Sequence, residues 1–112
     1  FGSGVGKDLS MIFGGAVGFL IGGKIAEILD DEEEQDFNET ISKSLNENKD
    51  LEVEEWMSSK NNDTKAEVIP LNKYEIEEKT CRDFKKMITK EGKTIEEDST
   101  ACRDEDGNWR VI

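Results

Sequence analysis

Residues Leu9 to Gly23 read LSMIFGGAVGFLIGG, fifteen positions without a charge, and glycine recurs every fourth residue at Gly14, Gly18 and Gly22. Ala26 extends the row, and Gly15 and Gly23 lie beside it. No other stretch limits the fold as much. In water each glycine inside a helix costs about 1 kcal/mol relative to alanine. A soluble helix would seldom carry five of them in ten positions, as this segment does. In lipid the backbone has to satisfy its own hydrogen bonds, which enforces helix. A stripe of small residues then lets a second helix approach closely, and GxxxGxxxGxxxA is more specific than a lone GxxxG. Ile25, Ala26, Ile28 and Leu29 prolong the segment past Lys24 and Glu27. As a helix, Leu9–Leu29 would reach about 30 Å, the thickness of a hydrocarbon core. The segment therefore reads as a transmembrane glycine-zipper helix with Gly14, Gly18, Gly22 and Ala26 as its packing interface. The blander readings are a glycine-rich loop or a buried soluble helix. Gly2, Gly4 and Gly6 before Lys7 do not meet the spacing of a phosphate-binding loop.

After Leu29 the character inverts. Asp30 to Glu39 holds seven acids and no base, and across all 112 residues 27 acids against 15 bases leave a net charge of −12. Such a chain repels phosphate backbones, which argues against nucleic acid as a partner. The chain has no histidine. That excludes histidine acid–base chemistry, Ser-His triads and most catalytic zinc sites. Asp83, Asp98, Asp104 and Asp106 are the carboxylates an enzyme could use, yet they read as turn and surface residues. No catalytic residue, cofactor or metal is expected. The acids at 30–34 lack the ligand spacing and glycine turn of an EF-hand loop. They fit a solvated helix face better than a bridge of divalent cations to anionic headgroups. Phe37, Ile41 and Leu45 form a narrow apolar stripe at helical spacing, and Leu29 falls on the same row. One helix is thus expected to run from the membrane to residue 47.

From Leu51 the apolar period becomes two. Leu51, Val53 and Trp56-Met57 predict one strand, and Ala66, Val68 and Ile69 a second. Lys60–Thr64 turns between them, and Pro70 ends the pair or lies at an edge. Thr80–Lys90 and Lys93–Arg103 flank Glu91-Gly92, and a last hairpin turns at Asp106-Gly107 into Trp109–Ile112. The sum is an antiparallel meander, too small to bury much core alone.

If Glu91-Gly92 is a two-residue hairpin loop, Lys90 faces Lys93, and the same register sets Cys81 opposite Cys102. The cysteines lie an odd number of steps from the pair at the loop. They therefore occupy a non-hydrogen-bonded pair, with Cα atoms about 4.5 Å apart and within disulfide reach. Ile88 and Ile95 face each other on the opposite side. A bulged three-residue turn would shift this register by one. The alternatives are two reduced thiols in a cytosolic protein, or a metal pair that lacks further ligands. The bridge would close a loop of about 20 residues, worth about 3 kcal/mol in the chain-entropy model. It would also imply an oxidising compartment.

Cys81-Arg82-Asp83-Phe84, Glu91-Gly92-Lys93-Thr94, Ala101-Cys102-Arg103 and Asp106-Gly107-Asn108-Trp109-Arg110-Val111 together resemble a family signature. It is the C-terminal pattern of the rickettsial-type 17-kDa surface antigen family, approximately CREF…GGK…ACRxxDGxW. The zipper stretch and its acidic exit at Asp31…Gln35-Asp36 are similar to the same family, with a SlyB-like zipper. Glu91 departs from the family's usual glycine. The resemblance implies a bacterial outer-membrane lipoprotein with a signal peptide, a lipidated cysteine and a first zipper helix ahead of Phe1. Phe1–Gly6 would be the turn between the two zipper helices.

The expected fold is α+β. A glycine-zipper transmembrane segment, the second half of a helical hairpin, spans 1–29. An acidic amphipathic helical connector spans 30–50. A small antiparallel β domain with one disulfide spans 51–112. The expected function is that of a non-enzymatic surface antigen of the cell envelope, self-associating as a homo-oligomer through its zipper in outer-membrane lipid. The β domain would stand in the periplasm or at the cell surface. The alternative is a binding module for an envelope ligand, such as peptidoglycan or an assembly protein, with Trp56 and Trp109 as contact residues. Core packing is the competing role for both tryptophans.

Overall fold

The computed structural model describes residues 20–112. Among them, helices α1 (Gly23–Ala26) and α2 (Asp31–Glu47) precede five strands. These are β1 (Glu54–Met57), β2 (Thr64–Ile76), β3 (Lys79–Lys90), β4 (Lys93–Arg103) and β5 (Trp109–Val111). The strands pair antiparallel in sequence order, as a meander of short connections requires.

Two tight loops set the register. Lys90 pairs with Lys93 across Glu91-Gly92, whose φ values are 51° and 81°. Left-handed residues at both loop positions match the right-handed twist of the flanking strands. Ile76 pairs with Lys79 in the same way across Glu77-Glu78, at φ 50° and 69°. An irregularity between Pro70 and Asn72 inserts one residue into β2. Before it, Ala66, Val68 and Pro70 share a face with Ile88, Lys86 and Phe84; after it, Tyr74 pairs with Cys81 on the other face. A one-residue insertion flips side-chain parity, so a single bulge lets β2 serve both faces.

Helix α2 covers the inner face. Asp30 caps it: its carboxylate accepts the Glu33 N–H at 2.8 Å, and the Glu33 side chain accepts the Asp30 N–H. This capping box fixes where the helix starts. Phe37, Ile41 and Leu45 are buried against Trp56, Ala66, Val68, Phe84, Ile88, Ala101 and Trp109. The 31–47 segment and the strands therefore share one core, so the helix is more than a connector.

The expectation of a transmembrane zipper helix running into α2 is overturned. Gly22 is extended (φ −85°, ψ 176°), α1 is only four residues long, and Asp30 is extended again (φ −83°, ψ 176°). No continuous helix joins residue 20 to residue 47. Leu20, Ile21, Ile25 and Leu29 instead join the core between helix and sheet. The physical reason is that a run of apolar residues and glycines suits a close-packed soluble core as well as lipid. Here the sheet offers those side chains a place, and the glycines weaken the helix. Among the described residues no helix is long and apolar enough to cross a membrane. Gly14, Gly18 and the Phe1–Gly6 turn lie outside the described residues.

Candidate functional site

The inner face of β3 alternates apolar residues with charge. Arg82 and Lys86 are buried on the same side as Phe84 and Ile88. The Arg82 Nη1 donates to the carbonyls of Leu45 and Asn48 at 2.9 and 2.8 Å, and Nη2 to Asp50 at 2.7 Å. A cation thereby meets the carbonyl end of α2, where the helix dipole is negative. Lys86 donates from Nζ to the Leu20 carbonyl at 2.7 Å and stands 3.3 Å from Glu97. Burial pulls its pKa below the ordinary lysine range, against the pull of Glu97. Glu97 in turn accepts the N–H groups of Gly22 and Ile25 at 2.9 and 3.4 Å. Lys90 reaches the Ile28 carbonyl at 2.6 Å. These charges stitch segment 20–29 and α2 onto the sheet.

The tryptophans belong to the same construction. Trp56 is buried, packs against Phe37 with ring centroids 5.1 Å apart and planes tilted by 32°, and donates from Nε1 to Asp36 at 3.0 Å. Trp109 is buried and donates from Nε1 to Asn46 at 2.8 Å. Each pins one end of α2 to a strand. Gly22 and Ala26, expected at a helix–helix interface, sit in segment 20–29 beside β4 of the same chain. A Cβ on Gly22 would lie 2.7 Å from Glu97 Oε1. Cys81 and Cys102 face each other in the expected register, Cα atoms 4.0 Å apart, and form a disulfide with both residues fully buried. Tyr74 and Ile76 pack against it.

Among the described residues no helix lies on the outer face of the sheet, and a groove is found there. Its rows follow from the register. Met57, Lys65, Thr89 and Thr94 form one row across four strands; Glu55, Glu67, Met87 and Glu96 form the next. Between them lies a groove of about 570 Å³ over β1–β4. Farther along, Asp83 accepts hydrogen bonds from the Tyr74 and Thr100 hydroxyls at 2.8 and 2.6 Å. The Thr100 bond, then the Tyr74 bond, hold the Asp83 carboxyl below the usual range despite partial burial. The same contact raises the Tyr74 phenol. Asp98 and Asp83 line a second hollow that reaches Leu71 and Ile112. Asp104 orders the β4–β5 turn, accepting from the N–H groups of Asp106 and Asn108 and from Arg110. Among the described residues no group of three or more His, Cys, Asp or Glu could hold a metal.

No protein-family model matches this chain, and no curated protein and no solved structure matches it either.

Reasoning from the sequence missed the buried Arg82 and Lys86 and the outer groove. A signal for the first pair was present. Both alternate with Phe84 and Ile88 on the strand face that Ile88 and Ile95 mark as inner. The groove left none, because its residues are ordinary surface types brought together only by the pairing of β1 through β4.

Proposed function

We propose that this chain is a non-enzymatic module of the bacterial cell envelope, standing in the periplasm or at the cell surface, whose work is binding. The observation that carries the reading is the Cys81–Cys102 disulfide. It joins facing residues of adjacent strands and both cysteines are fully buried. Such bridges form and persist in oxidising compartments. A chain without histidine has little to offer acid–base catalysis near neutral pH. An antiparallel sheet with one face packed and the other, among the described residues, open has by contrast a surface for a partner. An envelope assembly protein or peptidoglycan is the partner class.

The experiment is to fractionate cells that make the full gene product and, in a parallel acid-quenched sample, to alkylate free thiols under denaturing conditions, since both cysteines are buried in the fold. The expected result is a chain in the envelope fraction with no alkylated cysteine. A chain in the cytosolic fraction with both cysteines alkylated overturns the reading.

A further inference from the structure

The exposed large apolar side chains of the described residues are Leu51, Val53, Met57, Leu71 and Ile112. Strand parity puts Met57 on the outer face, and Leu71 and Ile112 line the hollow there. This concentration on one unpartnered face is what an interaction surface shows. The groove beside Met57 carries a second feature. Glu55 and Glu67 are direct cross-strand partners on that face. Like charges placed opposite each other destabilise a strand pair. Neither carboxylate has a hydrogen-bond or ion-pair partner among the described residues. Met87 continues the Glu55–Glu67 row, and Glu96 extends it. Lys65, opposite Met57, also lines the groove and pairs with neither glutamate.

We propose that this groove docks an extended basic polypeptide segment. A lysine or arginine of that segment seats between Glu55 and Glu67, and its aliphatic stem lies over Met57 and Met87. The proposal rests on the binding-module reading and names the chemistry of the partner. The argument is charge complementarity. The face offers two unpaired, opposed carboxylates that a guanidinium or ammonium would bridge. Beside them lie flexible thioethers suited to a long alkyl stem. A second copy of this chain is a poor occupant, because each copy carries a net charge of −12 and would present the same acids.

The test uses a fluorescein-labelled peptide with lysine at every second position between leucine and threonine, followed by fluorescence anisotropy at about 0.15 M salt. A matched peptide with glutamate for lysine is the control. The expected result is binding of the lysine peptide alone, with amide shifts at residues 55–57, 65–67 and 87–89. Glu55→Gln with Glu67→Gln weakens binding about tenfold. Glu39→Gln with Glu47→Gln, the same charge change on the exposed face of α2, weakens it less than twofold. Equal weakening by the two pairs overturns the proposal, since bulk charge alone would then account for binding. So do shifts confined to α2, equal binding of the glutamate peptide, no binding at all, or a self-dimer that covers the groove. All variants are first checked to be folded, with a thermal midpoint no lower than that of the unaltered chain; relief of the Glu55–Glu67 repulsion is expected to raise it for that pair. A failed peptide leaves the envelope reading to the thiol and fractionation experiment, so the two failures are distinguishable.

Discussion

Lys86 on β3 and Glu97 on β4 are register partners 3.3 Å apart, and each also hydrogen-bonds the backbone of segment 20–25. The ammonium takes the Leu20 carbonyl, and the carboxylate takes the Gly22 and Ile25 amides. A buried ion pair is costly to desolvate and rewards the fold only when its leftover donors and acceptors are filled. Here the filling groups belong to the segment that closes the core, so the pair couples that segment to the sheet.

Breaking this pair from one side is expected to be expensive. Glu97→Gln leaves Lys86 as an uncompensated buried cation and costs about 3 kcal/mol in urea unfolding. Hydrogen exchange at the Gly22 and Ile25 amides should accelerate before that of β3. Gly22→Ala is expected to cost a comparable amount, because the new Cβ would displace the Glu97 carboxylate that holds Lys86 and the two amides. If Glu97→Gln left stability and these amides unchanged, the pair would not be the tie described.

The β3–β4 pairing was legible in the sequence because two independent features agreed on it: a Glu-Gly loop and two cysteines on a common register. Phe37, Ile41 and Leu45 were legible too, since their spacing fits only one helix face. Leu20–Leu29 was not. Its apolar residues and glycines satisfy the demands of lipid and of a packed core alike, and only the presence of a sheet with Glu97 in the right place decides between them. Glu77-Glu78 was equally hidden, because glutamate carries no preference for left-handed backbone. The Pro70–Asn72 bulge hid how far β2 runs beyond its proline. As for the candidate site, Trp56 and Trp109 read in the sequence as ligand contacts with core packing as the competing role, and both are buried in the core. Which face a tryptophan takes depends on where α2 docks.

Loss of the disulfide should be felt at one end of the sheet first. Cys81→Ala with Cys102→Ala removes a cross-link spanning 21 residues, worth about 3 kcal/mol. The expected outcome is a lowered urea midpoint together with early exchange of the Tyr74 and Ile76 amides, which border the bridge. The α2 amides should hold until global unfolding, since Arg82 and the two tryptophans tie the helix independently.

Acid should destabilise the fold through a small set of carboxylates. Burial pushes the Glu33 carboxyl up, but hydrogen bonds from Ser58, Asn61 and the Asp30 amide hold it below its ordinary 4.5. Asp83 and Asp104 are likewise held below their ordinary 3.8, Asp83 chiefly by Thr100. For Asp104, burial is outweighed by the Asn108 amide and Arg110. A folded pKa below the unfolded one means the unfolded chain binds more protons. The stabilisation is therefore complete above the ordinary carboxylate range and drains away as pH falls through the folded values. Urea midpoints should be flat from about pH 7 to about pH 5 and fall steadily below it. Glu33→Gln should flatten part of that decline; an unchanged acid limb would remove Glu33 from the account.

The turn between β2 and β3 leaves room for improvement. Glu77 and Glu78 both adopt positive φ, at 50° and 69°, in a loop position that asparagine and glycine fill without steric cost. They also place two adjacent negative charges on a chain that already carries −12. Glu77→Asn with Glu78→Gly should therefore raise stability by about 1 kcal/mol. The register should survive, with Ile76 still opposite Lys79 and Tyr74 still packed on the disulfide. Unfolding in urea measures the first expectation, and cross-strand proton contacts measure the second. A destabilised double variant would mean that the two glutamates do not hold a left-handed two-residue loop in solution.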